Sequence, residues 1–232
     1  MKPKGVFIAG TDTGIGKTWA ACTLLQALRA ANLRATGMKP VASGCEETPD
    51  GLRNDDALAL IAASDPKPER YRDCNPFAFA LPVSPHIAAA EVEAEVTLPP
   101  IEDAYDTLTM LHGDAIVVEG VGGWLAPISD SLRANAIPRH LQLPVILVVG
   151  LKLGCLNHAQ LTARAIRSDG CELIGWVGNR VDPDMLYPKE NLVMLNRSLA
   201  APCLGVIGHG VQPVTAAASL REAADAVRGL AS

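Results

Sequence analysis

Short runs of uninterrupted apolar side chains recur along the chain, separated by longer stretches whose apolar residues fall three and four apart. Val6-Phe7-Ile8-Ala9 is the first such run, and residues 115–118 and 144–149 are the clearest others. A run without polar alternation suits a strand buried on both faces. Residues 34–38, 173–177 and 203–207 predict weaker strands of the same kind. Between the runs, residues 19–31 carry Leu24, Leu25 and Leu28 at helical spacing on an Ala-rich background, which predicts a helix. Further helices are expected over 57–63, 86–92, 101–112, 158–168, 192–199 and 215–230. Residues 64–85, rich in proline and weakly periodic, read as an irregular excursion able to wall a pocket. No repeat or linker interrupts the alternation of strand and helix. The expected fold is therefore α/β: a single domain over residues 1–232, with a mostly parallel twisted sheet and helices on both faces.

The first strand and helix enclose Gly10-Thr11-Asp12-Thr13-Gly14-Ile15-Gly16-Lys17-Thr18. Strand, glycine loop, Gly-Lys-Thr and helix together make a phosphate-binding loop, with a P-loop NTPase-like fold around it. Backbone N–H groups from Asp12 to Gly16 and at the helix start face one concavity, where a polyphosphate can accept them. Gly14 and Gly16 allow the unusual dihedrals and close approach. Lys17 reaches the β- and γ-phosphates, and the Thr18 hydroxyl can coordinate Mg²⁺. The usual spacing places a glycine at position 11, where this chain has Thr11 and carries Gly10 one residue earlier.

Other polar residues stand at strand ends, where open parallel sheets bind ligands. Lys39 and Ser43 follow the strand that Pro40 stops. Asn54 or Asp55 can cap the helix after it. Asp56 is either a first-turn acid of that helix or a metal ligand. Glu119 stands at the tip of the 115–118 strand, able to bind Mg²⁺ or to cap the next turn. Gly120, Gly122 and Gly123 suggest close backbone approach to a ligand. Trp124 reads as pocket wall or core, and His86 as a capping or packing residue. Asn179 and Arg180 lie just past the tip of the 173–177 strand.

Charge and composition narrow the partners. A net charge of −5 and a pI near 5.5 argue against nucleic acid or an anionic membrane,. No apolar run approaches the ~20 residues that span a bilayer. Met1-Lys2-Pro3-Lys4 leads straight into the first strand without room for a signal peptide, so the cytoplasm is expected. Six scattered cysteines, with no Cys-x-x-Cys, are expected as unpaired thiols, and zinc is not expected,.

In order along the chain, GTDTGIGKT, KPVASG, RNDDA, SPH, VEGVGGW, PVILVVGLKLGCLNHA and GWVGNR together resemble the dethiobiotin synthetase family. The resemblance implies an ATP- and Mg²⁺-dependent enzyme of biotin synthesis. Such an enzyme closes the ureido ring of dethiobiotin from 7,8-diaminopelargonate and CO₂, through a carbamate and its mixed anhydride with phosphate. An in-line transfer between two anions needs positive charge and Mg²⁺ more than a nucleophilic side chain. By resemblance, Lys17 and a metal site of Thr18, Asp56 and Glu119 neutralise the phosphates. Lys39 sits beside the carbamate, Thr13 and Ser43 orient the substrate's polar head, and Asn179, next to Arg180, reads adenine. Gly154, Cys155, Leu156 and Asn157 cross a homodimer interface in the family, holding the carboxylate tail of the substrate bound on the partner. Gly208-His209-Gly210 departs from the family, which has a proline-containing turn there near the base.

Two other classes share parts of this pattern. Nucleotide switches of the partition and septum-site type have a similar loop, but with a lysine near its start where this chain has Thr11-Asp12-Thr13. Their membrane-binding members end in a basic amphipathic helix, whereas residues 219–232 hold two arginines and two acids. Amidotransferase-like synthetases of cobalamin synthesis need a glutaminase domain for which 232 residues leave no space.

Overall fold

In the computed structural model the described residues are 5–230. Residues 1–4, expected to lead into the first strand, and 231–232 lie outside them. The chain opens with β1 (Gly5–Gly10) and α1 (Lys17–Ala30), followed by β2 (Ala35–Met38) and β3 (Val41–Ser43). A short hairpin, β4 (Glu46–Thr48) and β5 (Gly51–Arg53), leads to α2 (Asp55–Ala63). Then come α3 (Tyr71–Cys74), β6 (Phe77–Phe79), α4 (Pro85–Ala90), α5 (Leu98–Thr109) and β7 (Ala115–Glu119). The second half holds α6 (Ala136–His140), β8 (Val145–Gly150), α7 (Cys155–Ser168), β9 (Leu173–Asn179) and α8 (Pro188–Ser198). It closes with β10 (Cys203–Ile207), α9 (Pro213–Ala216), a 3-10 turn over Ala217–Leu220 and α10 (Arg221–Leu230).

Six strands form one sheet in the order β10-β9-β8-β1-β7-β2, every neighbouring pair parallel. Strand alternation divides the core in two. Phe7 and Ala9 of β1, with Val145, Leu147 and Val149 of β8, pack on one side against Tyr105 and Leu108 of α5 and Ala159, Ala163 and Ile166 of α7. Val6, Ile8, Ile146 and Val148 face the other side, against Leu24 and Leu28 of α1, Leu60 of α2 and Val227 of α10. Both faces of the central strands are thus covered, which is why their sequences carry no polar alternation.

Four expectations change in detail. Residues 64–85 are not wholly irregular: they hold α3 and β6, and β6 pairs in parallel with β3. The predicted closing helix is three pieces, two short turns before α10. α7 begins at Cys155 rather than His158, because Gly154 at φ 93° turns the chain directly into the helix,. Asn179 is the last residue of β9 rather than just past its tip.

Candidate active site

β1 and α1 are joined by residues 11–16. Gly14 and Gly16 sit in the left-handed region at φ 71° and 79°. Gly16 is constrained twice, because a Cβ there would collide with Asn179 Nδ2. Among the described residues no side chain caps α1, which leaves its first N–H groups to an anion. Lys17, only 7% exposed, folds back so that Nζ donates to the Asp12 carbonyl at 2.9 Å. Burial, and next the like charge of Lys39, push its pKa down to about 8. A polyphosphate in the loop would supply the missing counter-charge. The Asp12 carboxylate accepts from the Thr13 N–H at 2.7 Å and faces Lys152 at 3.7 Å.

The sheet register explains why distant residues meet beside this loop. β1, β7 and β2 are neighbours, Ile8 lies opposite Glu119, and Val118 opposite Met38. Glu119 at the end of β7 and Lys39 just beyond β2 therefore stand at adjacent strand tips. Lys39 Nζ donates to Glu119 Oε1 at 2.6 Å and to Asp56 Oδ2 at 2.9 Å, and the Thr18 hydroxyl donates to Glu119 Oε1 at 2.8 Å. Burial alone would lower the Lys39 pKa, but the two carboxylates outweigh it and hold the ammonium above its usual range. Burial likewise works against the Asp56 carboxylate, and Lys39 overcomes it and lowers that pKa. For Glu119 the balance reverses: burial, with Asp56 adding to it, raises the pKa despite Lys39.

Among the described residues the buried Glu119 Oε2 has no partner. An unpaired carboxylate oxygen in the interior is costly, and a divalent cation beside it would remove that cost. Glu119, Asp56 and Thr18 offer oxygen donors only, the chemistry Mg²⁺ prefers. Among the described residues no three His, Cys, Asp or Glu side chains converge on one point. A cation here would complete its shell with phosphate oxygens and water, as Mg²⁺ commonly does. The residues fit the ion.

These groups line one cleft of about 420 Å³. Thr13, Gly14, Gly16, Lys17 and Thr18 form one wall. Lys39, Ser43, Asp56, Glu119 and Gly122 form the rest of the predicted lining. Sequence reasoning did not assign Trp19, Ala42, Asn54 or Val121, which line it too. Trp19 had a signal: an aromatic residue directly after Gly-Lys-Thr in an Ala-rich helix. A larger cavity, about 580 Å³, lies at the opposite, amino-terminal edge of the strands around Arg139, Asp169, Cys171 and Glu172. It contains none of the predicted chemistry.

The remaining predicted residues stand around the cleft rather than in its lining. Ile15 is buried beneath the loop, and its carbonyl accepts from Asn179 Nδ2 at 3.0 Å. Asn179 thus tethers the loop, leaving its second amide proton and its oxygen for other work. Gly120 passes close to Phe7, whose ring a Cβ would strike. The Arg180 carbonyl faces His209 Nδ1 at 3.0 Å, and the Val211 carbonyl accepts from Trp19 Nε1 at 2.7 Å. The late loop that departs from the family pattern is thereby fixed to β9 and α1. Gly154, Cys155, Leu156 and Asn157 lie at the start of α7, with Gly154 and Asn157 exposed, outside the lining of this cleft.

A family model described as an AAA domain matches residues 4–212. A protein named ATP-dependent dethiobiotin synthetase BioD from Xanthomonas euvesicatoria pv. vesicatoria is 54% identical over 207 residues, 89% of this chain and 92% of that one. One of the same name from Xylella fastidiosa is 47% identical over 228 residues, 97% and 100% of the two chains. Among solved structures, the MinD cell division protein of Aquifex aeolicus superposes with a TM-score of 0.58 at 13% identity, covering 97% of each chain. The signal recognition particle receptor FtsY of Elizabethkingia anophelis gives 0.54 at 15% identity, over 98% of this chain and 65% of that one. At such identities the structural likeness speaks for a P-loop NTPase fold alone, whereas the sequence likeness runs to the ATP-dependent dethiobiotin synthetases. The chain belongs to the ATP-dependent dethiobiotin synthetase family.

Proposed function

We propose that the chain, residues 1–232 acting as one synthetase domain, makes dethiobiotin from 7,8-diaminopelargonate and CO₂ with cleavage of ATP to ADP and phosphate. One amine takes up CO₂ as a carbamate and gives up a proton. The γ-phosphoryl group passes to a carbamate oxygen, and ADP leaves. The second amine then attacks the carbonyl carbon, the bond to the phosphorylated oxygen breaks, and phosphate departs. Lys17 and the loop N–H groups hold the polyphosphate. Lys39 stands beside the carbamate and offsets charge as the phosphoryl group moves. Thr13 and Ser43 orient the diamine's head. Mg²⁺, held by Thr18, Asp56 and Glu119, neutralises the phosphate oxygens when bound. The observation that carries this reading is that two buried ammonium groups and an unpartnered carboxylate oxygen, from three distant segments, open on one cleft. Purified protein incubated with the diamine, bicarbonate, ATP and Mg²⁺ should yield dethiobiotin by mass spectrometry. Folded protein that makes none overturns the reading.

The metal assignment has its own consequence. Glu119→Gln keeps the shape and loses the charge, so the Mg²⁺ requirement should rise about tenfold and added Mg²⁺ should restore part of the rate. A Mg²⁺ dependence identical to wild type would leave Glu119 as a partner of Lys39 only.

The adenine assignment predicts a change in nucleotide preference. An amide can pair with the N6 donor and N7 acceptor of adenine, a fit guanine does not offer. Losing such a contact costs ~1–3 kcal/mol by analogy with base readout. Asn179→Ala should raise KM for ATP and narrow its lead over GTP. Equal losses for both nucleotides would reduce Asn179 to its tether on Ile15.

We take the enzyme to be a cytoplasmic homodimer acting on small molecules, with neither nucleic acid nor membrane as partner. Six free thiols suit a reducing compartment,. No helix among the described residues is long and apolar enough to cross a membrane. Leu153 at 96% exposed and Leu161 at 56%, on and beside α7, offer apolar surface for a second copy,.

A further inference from the structure

Lys39 and Asp56 stand 2.9 Å apart with opposite charges, yet neither backbone is anchored in the six-stranded sheet. β2 ends one residue before Lys39. The Lys39 N–H donates to the Cys74 carbonyl at 2.8 Å, and its carbonyl accepts from Asn75 Nδ2 at 2.6 Å. The following Pro40 has no N–H, and its carbonyl accepts from the Phe77 N–H at 3.2 Å. Lys39 therefore hangs from residues 74–77. Asp56 lies in the first turn of α2, whose N-cap Asn54 accepts from the Ala57 N–H at 3.3 Å. The Asn54 N–H donates to the Tyr71 hydroxyl at 2.8 Å, and that hydroxyl donates to Asn75 Oδ1 at 2.9 Å. One oxygen atom joins the segment that carries Asp56 to the segment that holds Lys39.

The sense of these bonds is fixed by the groups around them. Asn75 is 2% exposed, and its Nδ2 faces two carbonyls, of Lys39 and of Phe77 at 3.1 Å. Turning the amide over would set its oxygen against both. Burial pushes the Tyr71 hydroxyl up to about 12, so it stays a donor at physiological pH. The Arg53 guanidinium lies 4.3 Å from the centre of the Tyr71 ring and holds its orientation,. Glu119 and Thr18 are anchored separately, in β7 and α1. The relay thus sets one half of the charge cluster against the other.

We infer that Tyr71 is a positioning residue for ring closure: through Asn54 and Asn75, its hydroxyl holds Asp56 and Lys39 in place against Glu119 and the phosphate loop. This rests on the roles given above to Lys39 and Asp56. Tyr71→Phe keeps the ring over Arg53 and removes only the hydroxyl. Relative to wild type, kcat should fall about 10- to 100-fold, as small misplacements of reacting groups do. KM for ATP should change less than kcat, since Lys17 and the loop N–H groups are not held by the relay, although Asp56 on the metal is. Hydrogen exchange at the Lys39 and Ala57 amides should quicken, while the Ala20 amide, bonded to the Gly16 carbonyl, should not change. Adding Asn75→Ala should cost little beyond the larger single effect, because both act through one chain of bonds. Wild-type kcat in folded Tyr71→Phe, unchanged exchange at both amides, or full additivity overturns the inference. If Asn75→Ala does not fold, Tyr71→Phe alone decides. If wild type makes no dethiobiotin, the proposed function fails, and the exchange comparison still decides whether the relay holds the two segments.

Discussion

Lys39→Ala should lower ring closure by about 10²–10³-fold, the usual cost of removing one preorganised charge from a reacting centre. The effect should fall on kcat more than on KM for ATP, because Lys17 and the loop N–H groups remain. The substitution should also destabilise the protein. Among the described residues Lys39 is the only cation within bonding distance of Glu119, which is 1% exposed, and stripping one partner from a buried pair typically costs ~3–5 kcal/mol. That cost depends on pH. The folded-state pKa of Glu119 already lies above its ordinary value, through burial first, and loss of Lys39 raises it further. A raised carboxyl gives stability that is full below its unfolded pKa and lost as pH rises through the folded one. The deficit of the variant should therefore be smallest in acid and grow toward neutral pH. Urea midpoints at about pH 5 and about pH 8, beside turnover at the higher pH, read both effects. Near-normal turnover in the variant would remove Lys39 from the chemistry.

The parts of this site that could be read from the sequence are those where one residue's surroundings follow from its own neighbours. The apolar runs at β1, β7 and β8, and the weaker run at β2, mark buried strands, so the polar residue after each run must stand at a strand tip. That logic finds Glu119, Lys39 and the loop from Gly10 to Thr18. It does not find that Lys39 bonds Glu119, which is 80 residues away, because that pairing is set by the order of strands. The elements that hold Lys39 were also hidden. α3 and β6 span four and three residues, too short for any periodicity, and lie in a Pro-rich stretch whose chemistry resembles a loop. Tyr71 and Asn75 look ordinary there, and only the fold brings them to Asn54 and Lys39. The start of α7 was misplaced for a related reason: a left-handed glycine opens the helix, and Asn157 and His158 on its exposed side dilute the pattern.

The last expectation concerns two subunits and rests on the proposed dimer. Among the described residues no side chain caps α7; the Cys155 N–H donates to the Lys152 carbonyl at 3.0 Å, which leaves the later N–H groups of the first turn for an anion,. On the proposed reading this turn would take the carboxylate of the substrate bound on the partner. Asn157 is the third residue of α7 and exposed. Asp is well tolerated at that place in a helix, beside the positive end of the dipole. Asn157→Asp should thus fold normally yet repel the carboxylate, while Lys17→Ala removes the phosphate-binding ammonium of its own chain. Each variant should be inactive alone. When subunits of the two exchange at random, half the dimers are mixed. In each mixed dimer, one site combines the intact loop of one chain with the intact helix start of the other. The second site combines both lesions. About a quarter of wild-type activity should therefore return under two-fold symmetry. No recovery, with exchange proven by mass spectrometry of the mixed dimer, would place the whole site within one chain.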